Sequence, residues 1–143
     1  MTRNNRQFTV FFTLLTLLLL SFDSFAGNAI SPSDQAILDK ADIPLYPGMQ
    51  YTNGSLGGMM GVRFASADPT QKIRAWYREK FPQWALNDQY GSWILYDGKP
   101  GGGPMAYMNE KQVMIVENKE LPQWFNLPPS MTTEVVIVVP SDQ

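Results

Sequence analysis

The chain has 143 residues, 11 basic against 13 acidic side chains, a formal charge of −2, and neither Cys nor His. The thiol nucleophile, the imidazole base and the commonest metal ligand are therefore missing together, and a mildly acidic surface of mixed charge is a poor match for a phosphate backbone. Nucleic-acid binding is set aside, and the chain reads as non-enzymatic, with no catalytic, metal or cofactor residue to nominate.

Arg3 and Arg6 precede an apolar run from Phe8 to Leu20 that only Thr9, Thr13 and Thr16 interrupt, and Ser24-Phe25-Ala26 places small residues at cleavage-type positions. This is the layout of a secretory signal peptide, with 1–26 as the leader and 27–143 as one exported α+β domain. The 13-residue run is shorter than the roughly 20 residues that span a bilayer, so no stable membrane span is expected after cleavage. Losing Arg3, Arg6 and Asp23 moves the charge from −2 to −3. Without Cys there is neither a lipid-modified cysteine nor a disulfide, so stability has to come from packing, above all of the aromatic side chains. The expected location is the periplasm or the extracellular medium.

After the leader, Pro32 or Asp34 opens a short helix carrying Ala36, Ile37, Leu38 and Ala41. Asp42 to Gly48, with Pro44 and Pro47-Gly48, is an extended strap ending in a turn. Asn53-Gly54 is a hairpin dipeptide, and 56–65 alternates as a first strand, with Met60, Val62 and Phe64 on one side and Gly57, Gly58 and Gly61 weakening it.

The clearest element follows. Asp68 is placed to cap a helix, Pro69 to occupy its first position and Gln71 to complete a capping box, while Ile73, Trp76, Tyr77 and Phe81 recur at helical spacing and Pro82 ends the run. These signals predict a main helix over about 69–81. Within 86–96 a second strand, Trp93-Ile94-Leu95-Tyr96, follows a turn at Asn87-Asp88 or Tyr90-Gly91, and 97–104 is a Gly/Pro loop. Residues 105–109 read as a short strand, 112–117 as another, 120–130 as a Pro-rich connection, and 132–139 as the strongest strand, stopped by Pro140. Pro-Gln-Trp recurs at 82–84 and 122–124, but its flanks differ and no duplicated unit is implied.

This order gives a small two-layer α+β domain: a mainly antiparallel sheet of four or five strands, the main helix on one face, and a minor N-terminal helix. The last two strands are apolar on both sides, Val113 and Ile115 against Met114 and Val116, and Val135, Ile137 and Val139 against Val136 and Val138. A covering is needed for the second face, supplied by the N-terminal segment and the Trp124–Phe125 connection or by another protein.

Several features invite chemistry. Lys99 stands among Gly101, Gly102 and Gly103, but no Gly-Lys-Ser/Thr ending or helix follows, so a linker is the better reading than a phosphate cradle. Seven methionines follow Met1, and thioethers suit Cu(I). Met59–Met60 and Met105–Met108, read as strand residues, point to opposite faces in each pair, which favours core filling over copper. Arg74 and Arg78 form a basic stripe with Lys72 and Lys80, read first as a solvated face.

The Ile43-Pro44-Leu45-Tyr46-Pro47-Gly48 strap, the Val62-Arg63-Phe64 strand, Asp68-Pro69 leading to Lys72 and Trp76-Tyr77-Arg78, and the Thr132-Thr133-Glu134 strand resemble small exported bacterial domains of uncharacterised function. The resemblance implies a fold and an envelope location and carries over no active site.

The leading expectation is a non-catalytic protein-binding domain, an accessory subunit of a bacterial envelope assembly. Its protein partner would be met by Trp124, Phe125, Lys99, Gly101, Gly102, Gly103, Arg74 and Arg78. The alternative is a carrier for a small apolar ligand, with a pocket between helix and sheet lined by Trp76, Tyr77, Trp93 and Tyr96.

Overall fold

The computed structural model describes residues 28–54 and 60–140, with the Tyr90 side chain excepted. Residues 1–26, read above as a leader, and Gly57, Gly58 and Met59 lie outside the described residues.

The domain is α+β, and its described residues form one antiparallel sheet of six strands and three α-helices. In chain order these are α1 (Pro32–Ala41), β1 (Gln50–Tyr51), β2 (Gly61–Ser66), α2 (Thr70–Lys80), β3 (Ala85–Asn87), β4 (Ile94–Tyr96), β5 (Gln112–Glu117), α3 (Leu121–Phe125) and β6 (Thr133–Val138). The strand order is β1-β2-β6-β5-β4-β3. β6, last in the chain, lies between β2 and β5, and all six of its residues are buried. That position explains its unbroken apolar run.

The sheet has six strands rather than the expected four or five because β1 and β3 are only two and three residues long. Such lengths show no period-two pattern. β1 pairs with β2 through Tyr51 and Phe64, across the connection that carries Asn53-Gly54, and β3 pairs with β4 through Leu86 and Leu95. The turn expected ahead of Trp93 is present at Gln89–Gly91, and the short β3 before it makes the stretch a hairpin.

Register sets the first face. Val62, Ile137, Val113 and Leu95 are paired in a row across the sheet. With Phe64, Ile115, Val135 and Trp93 they join Leu38 and Ala41 of α1, Ile73 and Tyr77 of α2, and Ile43 and Tyr46 of the strap in one buried core. Both long helices therefore cover the same face, and α1 leaves the second face alone.

α1 begins as expected at Pro32, with the Ser31 hydroxyl accepting from the Asp34 N–H at 3.2 Å. α2 differs at its start. Its N-cap is Pro69 and no side chain caps it. The Asp68 carboxylate is turned away to accept from the Tyr46 hydroxyl at 2.5 Å and to pair with Lys72 Nζ at 3.0 Å. Strap and helix entry are thereby tied together, and the Tyr77 hydroxyl repeats the tie by donating to the Pro44 carbonyl at 3.0 Å.

Two further expectations change. Residues Ala106–Asn109 form a 3₁₀ turn rather than part of a strand, and the Pro-rich connection contains α3. These two segments cover the second face from opposite ends.

Candidate functional site

The second face begins from Arg63 on β2 and Glu134 on β6, whose neighbours on that face are Ala65 and Val136. Leu121 of α3 packs with Ala65 and Met131, and Phe125 and Leu127 complete the cluster. The Arg63 guanidinium lies over the Phe125 ring, 5.5 Å from its centroid. Gly54 explains itself here: a Cβ at that position would stand 2.6 Å from Phe125 Cζ, so only glycine lets the hairpin backbone pass beneath the ring.

α3 thus splits its two aromatics. Phe125 is half-buried under Arg63, whereas Trp124, one residue earlier, is 57 % exposed. A large aromatic left in water beside an anchored one is the kind of side chain that protein interfaces use.

The far end of the same face is built from the β4–β5 connection. Gly101 and Gly103 adopt φ of 86° and 90°, a left-handed conformation that glycine takes without strain, and the Asn87 amide donates to the Pro104 carbonyl at 2.9 Å. Lys99, Gly101, Gly102 and Gly103 are exposed. The glycines are accounted for by turning. β5 separates this loop from α3 by six residues, about 17 Å of strand, so the loop and Trp124 occupy opposite ends rather than one patch.

Arg74 and Arg78 are on the other side of the sheet with α2. Arg74 Nη2 donates to the Ile115 carbonyl at 2.9 Å, and the guanidinium lies 5.6 Å from the Trp93 ring centroid. Burial lowers its pKa from the ordinary guanidinium value. Arg78 Nη1 donates to the Trp84 carbonyl at 3.2 Å, Lys72 is held by Asp68, and Lys80 lies over Trp76 at 5.3 Å. The stripe is engaged with its own domain, its long side chains covering aromatic surface.

Three of the four residues of the carrier pocket, Trp76, Tyr77 and Trp93, meet in the packed first-face core, and Tyr96 does not. Tyr77 is fully buried, its ring edge-on to Trp76 at 4.8 Å, and burial pushes its hydroxyl pKa well above the usual tyrosine range. Trp93 packs in the same core, but Tyr96, three residues along a strand, faces the other way and meets Tyr107 at 6.3 Å.

Sequence reasoning missed a different gathering. Met105, Met108 and Met114 line one groove of about 410 Å³ between the 3₁₀ turn and the second face, and Met60, whose side chain packs with the first-face core, borders its end. The strand-based separation of Met105 from Met108 fails because Ala106–Asn109 is a 3₁₀ turn capped by Met105, and the Met108 N–H bonds back to the Met105 carbonyl, which sets the two residues one turn apart. Their spacing was the available signal, once read with the right period.

Among the described residues no cluster of three or more acidic side chains could hold a metal ion, and no helix is long and apolar enough to cross a membrane. No protein-family model, curated protein or solved structure matches the chain.

Proposed function

We propose that the chain is a non-catalytic binding domain of the cell envelope that docks another protein at the α3 end of its second sheet face, with Trp124 as the anchor. The observation that carries this reading is the 57 % exposure of Trp124 on a helix whose other aromatic is packed against Arg63 and Gly54. α3 presents the indole from a fixed base, so little ordering has to accompany binding. The leader-like first 26 residues and the absence of His and Cys support export and a non-enzymatic role. The placement of Trp76, Tyr77, Trp93 and Tyr96 gives the carrier alternative no support.

The test is crosslinking from position 124 in intact cells, followed by a native gel of gently solubilised envelope. A discrete species larger than the monomer, reduced by Trp124→Ala while the purified variant keeps its melting temperature, is the expected result. A monomer alone, or a larger species unaffected by Trp124→Ala, would refute the assignment.

A further inference from the structure

The methionine groove lies at the other end of the face from Trp124 and stands independently of the docking assignment. Its turn runs Met105-Ala106-Tyr107-Met108-Asn109, closed by a Met108 N–H to Met105 carbonyl bond of 3.1 Å. The one-turn spacing brings both thioethers to one side of it. Met114 rises from β5 between its paired neighbours Ile94 and Val136, and the Met60 backbone, whose carbonyl accepts from the Val139 N–H at 2.9 Å, borders the end beside β6 while its side chain packs with the first-face core.

Core filling does not account for the two turn methionines. Met131, which does fill a core, is 9 % exposed, whereas Met105 and Met108 are 57 % and 56 % exposed. Two large apolar side chains that line the groove are thus left largely in solvent. The Tyr107 hydroxyl lies 4.0 Å from Met105 Sδ and orients that side chain.

The chemistry of the lining is selective. Among the described residues it contains no charged side chain, and its polar members are Ser92, Tyr107 and Gln112. A hard divalent cation finds no carboxylate there, and an anion finds no cation. Neutral thioethers are soft donors that favour Cu(I), whose single charge also keeps the desolvation cost low in an uncharged site. Methionine's three rotatable bonds let the sulfurs converge without moving the backbone. We infer that Met105, Met108 and Met114 bind one Cu(I) ion through their thioether sulfurs.

The experiment titrates the purified protein into the coloured Cu(I)–bicinchoninate complex under ascorbate, with Ag(I) as a redox-inert probe, and follows the methyl signals of ¹³C-methyl-methionine. The expected result is withdrawal of one equivalent of Cu(I), with shifts at Met105, Met108 and Met114 and none at Met49, Met60 or Met131. Met105→Leu with Met108→Leu keeps the apolar volume at exposed positions and should weaken Cu(I) binding by at least about tenfold at unchanged melting temperature. Failure to compete for Cu(I), equal affinity in the double variant, or shifts confined to methionines outside the groove would each overturn the assignment. Equal uptake of Zn(II) would overturn it as well, because thioethers do not select that ion.

Discussion

Arg63 Nε stands 2.6 Å from Glu134 Oε1, with the two side chains only 19 % and 9 % exposed. The contact is ionic rather than a well-aligned hydrogen bond, since Nε has the distance to an acceptor without the direction. Glu134 Oε2 accepts from the Asn118 amide at 2.8 Å, and Phe125 covers the other side of the guanidinium. A pair taken this far out of water returns little net stability, but it fixes the seat of α3 on the sheet.

Removing one member should therefore cost more than removing both. Glu134→Ala is expected to destabilise the domain by about 3 kcal/mol, because Arg63 keeps its charge without its counter-ion. Arg63→Met combined with Glu134→Leu should fall within about 1 kcal/mol of the parent. Urea unfolding of the three proteins measures this, and equal losses in the single and double variants would show that the charge pair is not what matters.

The first face follows simpler rules. Ile73→Ala opens a void in the fully buried layer between α2 and the sheet and should cost about 2–4 kcal/mol. Tyr77→Phe keeps the ring and loses only the bond to the Pro44 carbonyl, about 1 kcal/mol. The same unfolding measurement distinguishes them, and reversal of the order would place the weight on the strap rather than on packing.

What the sequence disclosed divides along the same line. α2 was legible because Ile73, Trp76 and Tyr77 repeat at one period and Pro82 stops the run, and β6 was legible as a long β-branched stretch. β1 and β3 are too short for periodicity, and exist because β2 and β4 offer them free edges. Asp68 fits a helix cap by position, yet its carboxylate is taken by Tyr46, which lies 22 residues earlier. The candidate sites were the least legible. Whether Trp124 or Phe125 faces water depends on Gly54 and Arg63, and the methionine groove depends on a single turn being 3₁₀ rather than extended.

The Asp68 junction predicts an acid dependence. The Tyr46 hydroxyl bond, and after it Lys72, hold the Asp68 carboxyl below its ordinary pKa. A carboxylate depressed on folding contributes stability that is present above the unfolded value of about 4 and lost as pH falls through the folded value. The difference in melting temperature between the parent and Asp68→Asn should accordingly be constant near neutrality and shrink below about pH 4. Thermal melts from pH 2 to 7 check it. A difference that persists unchanged at pH 2 would assign the effect to shape instead of charge.

Trp124 and Phe125 make the last prediction, since adjacent aromatics of one short helix should behave in opposite ways. Phe125 meets Arg63, lies against the Gly54 backbone and packs beside Leu121, so Phe125→Ala removes a cation–π contact and part of a core and should lower stability by about 2 kcal/mol. Gly54→Ala should approach the same defect from below, forcing the ring off its seat by inserting a methyl where 2.6 Å is available. Trp124→Ala leaves this layer intact and should change stability by no more than about 0.5 kcal/mol. Denaturant midpoints for the three variants decide the matter. If Trp124→Ala proved as destabilising as Phe125→Ala, the indole would be part of the fold, and its claim to be a docking anchor would fail with it.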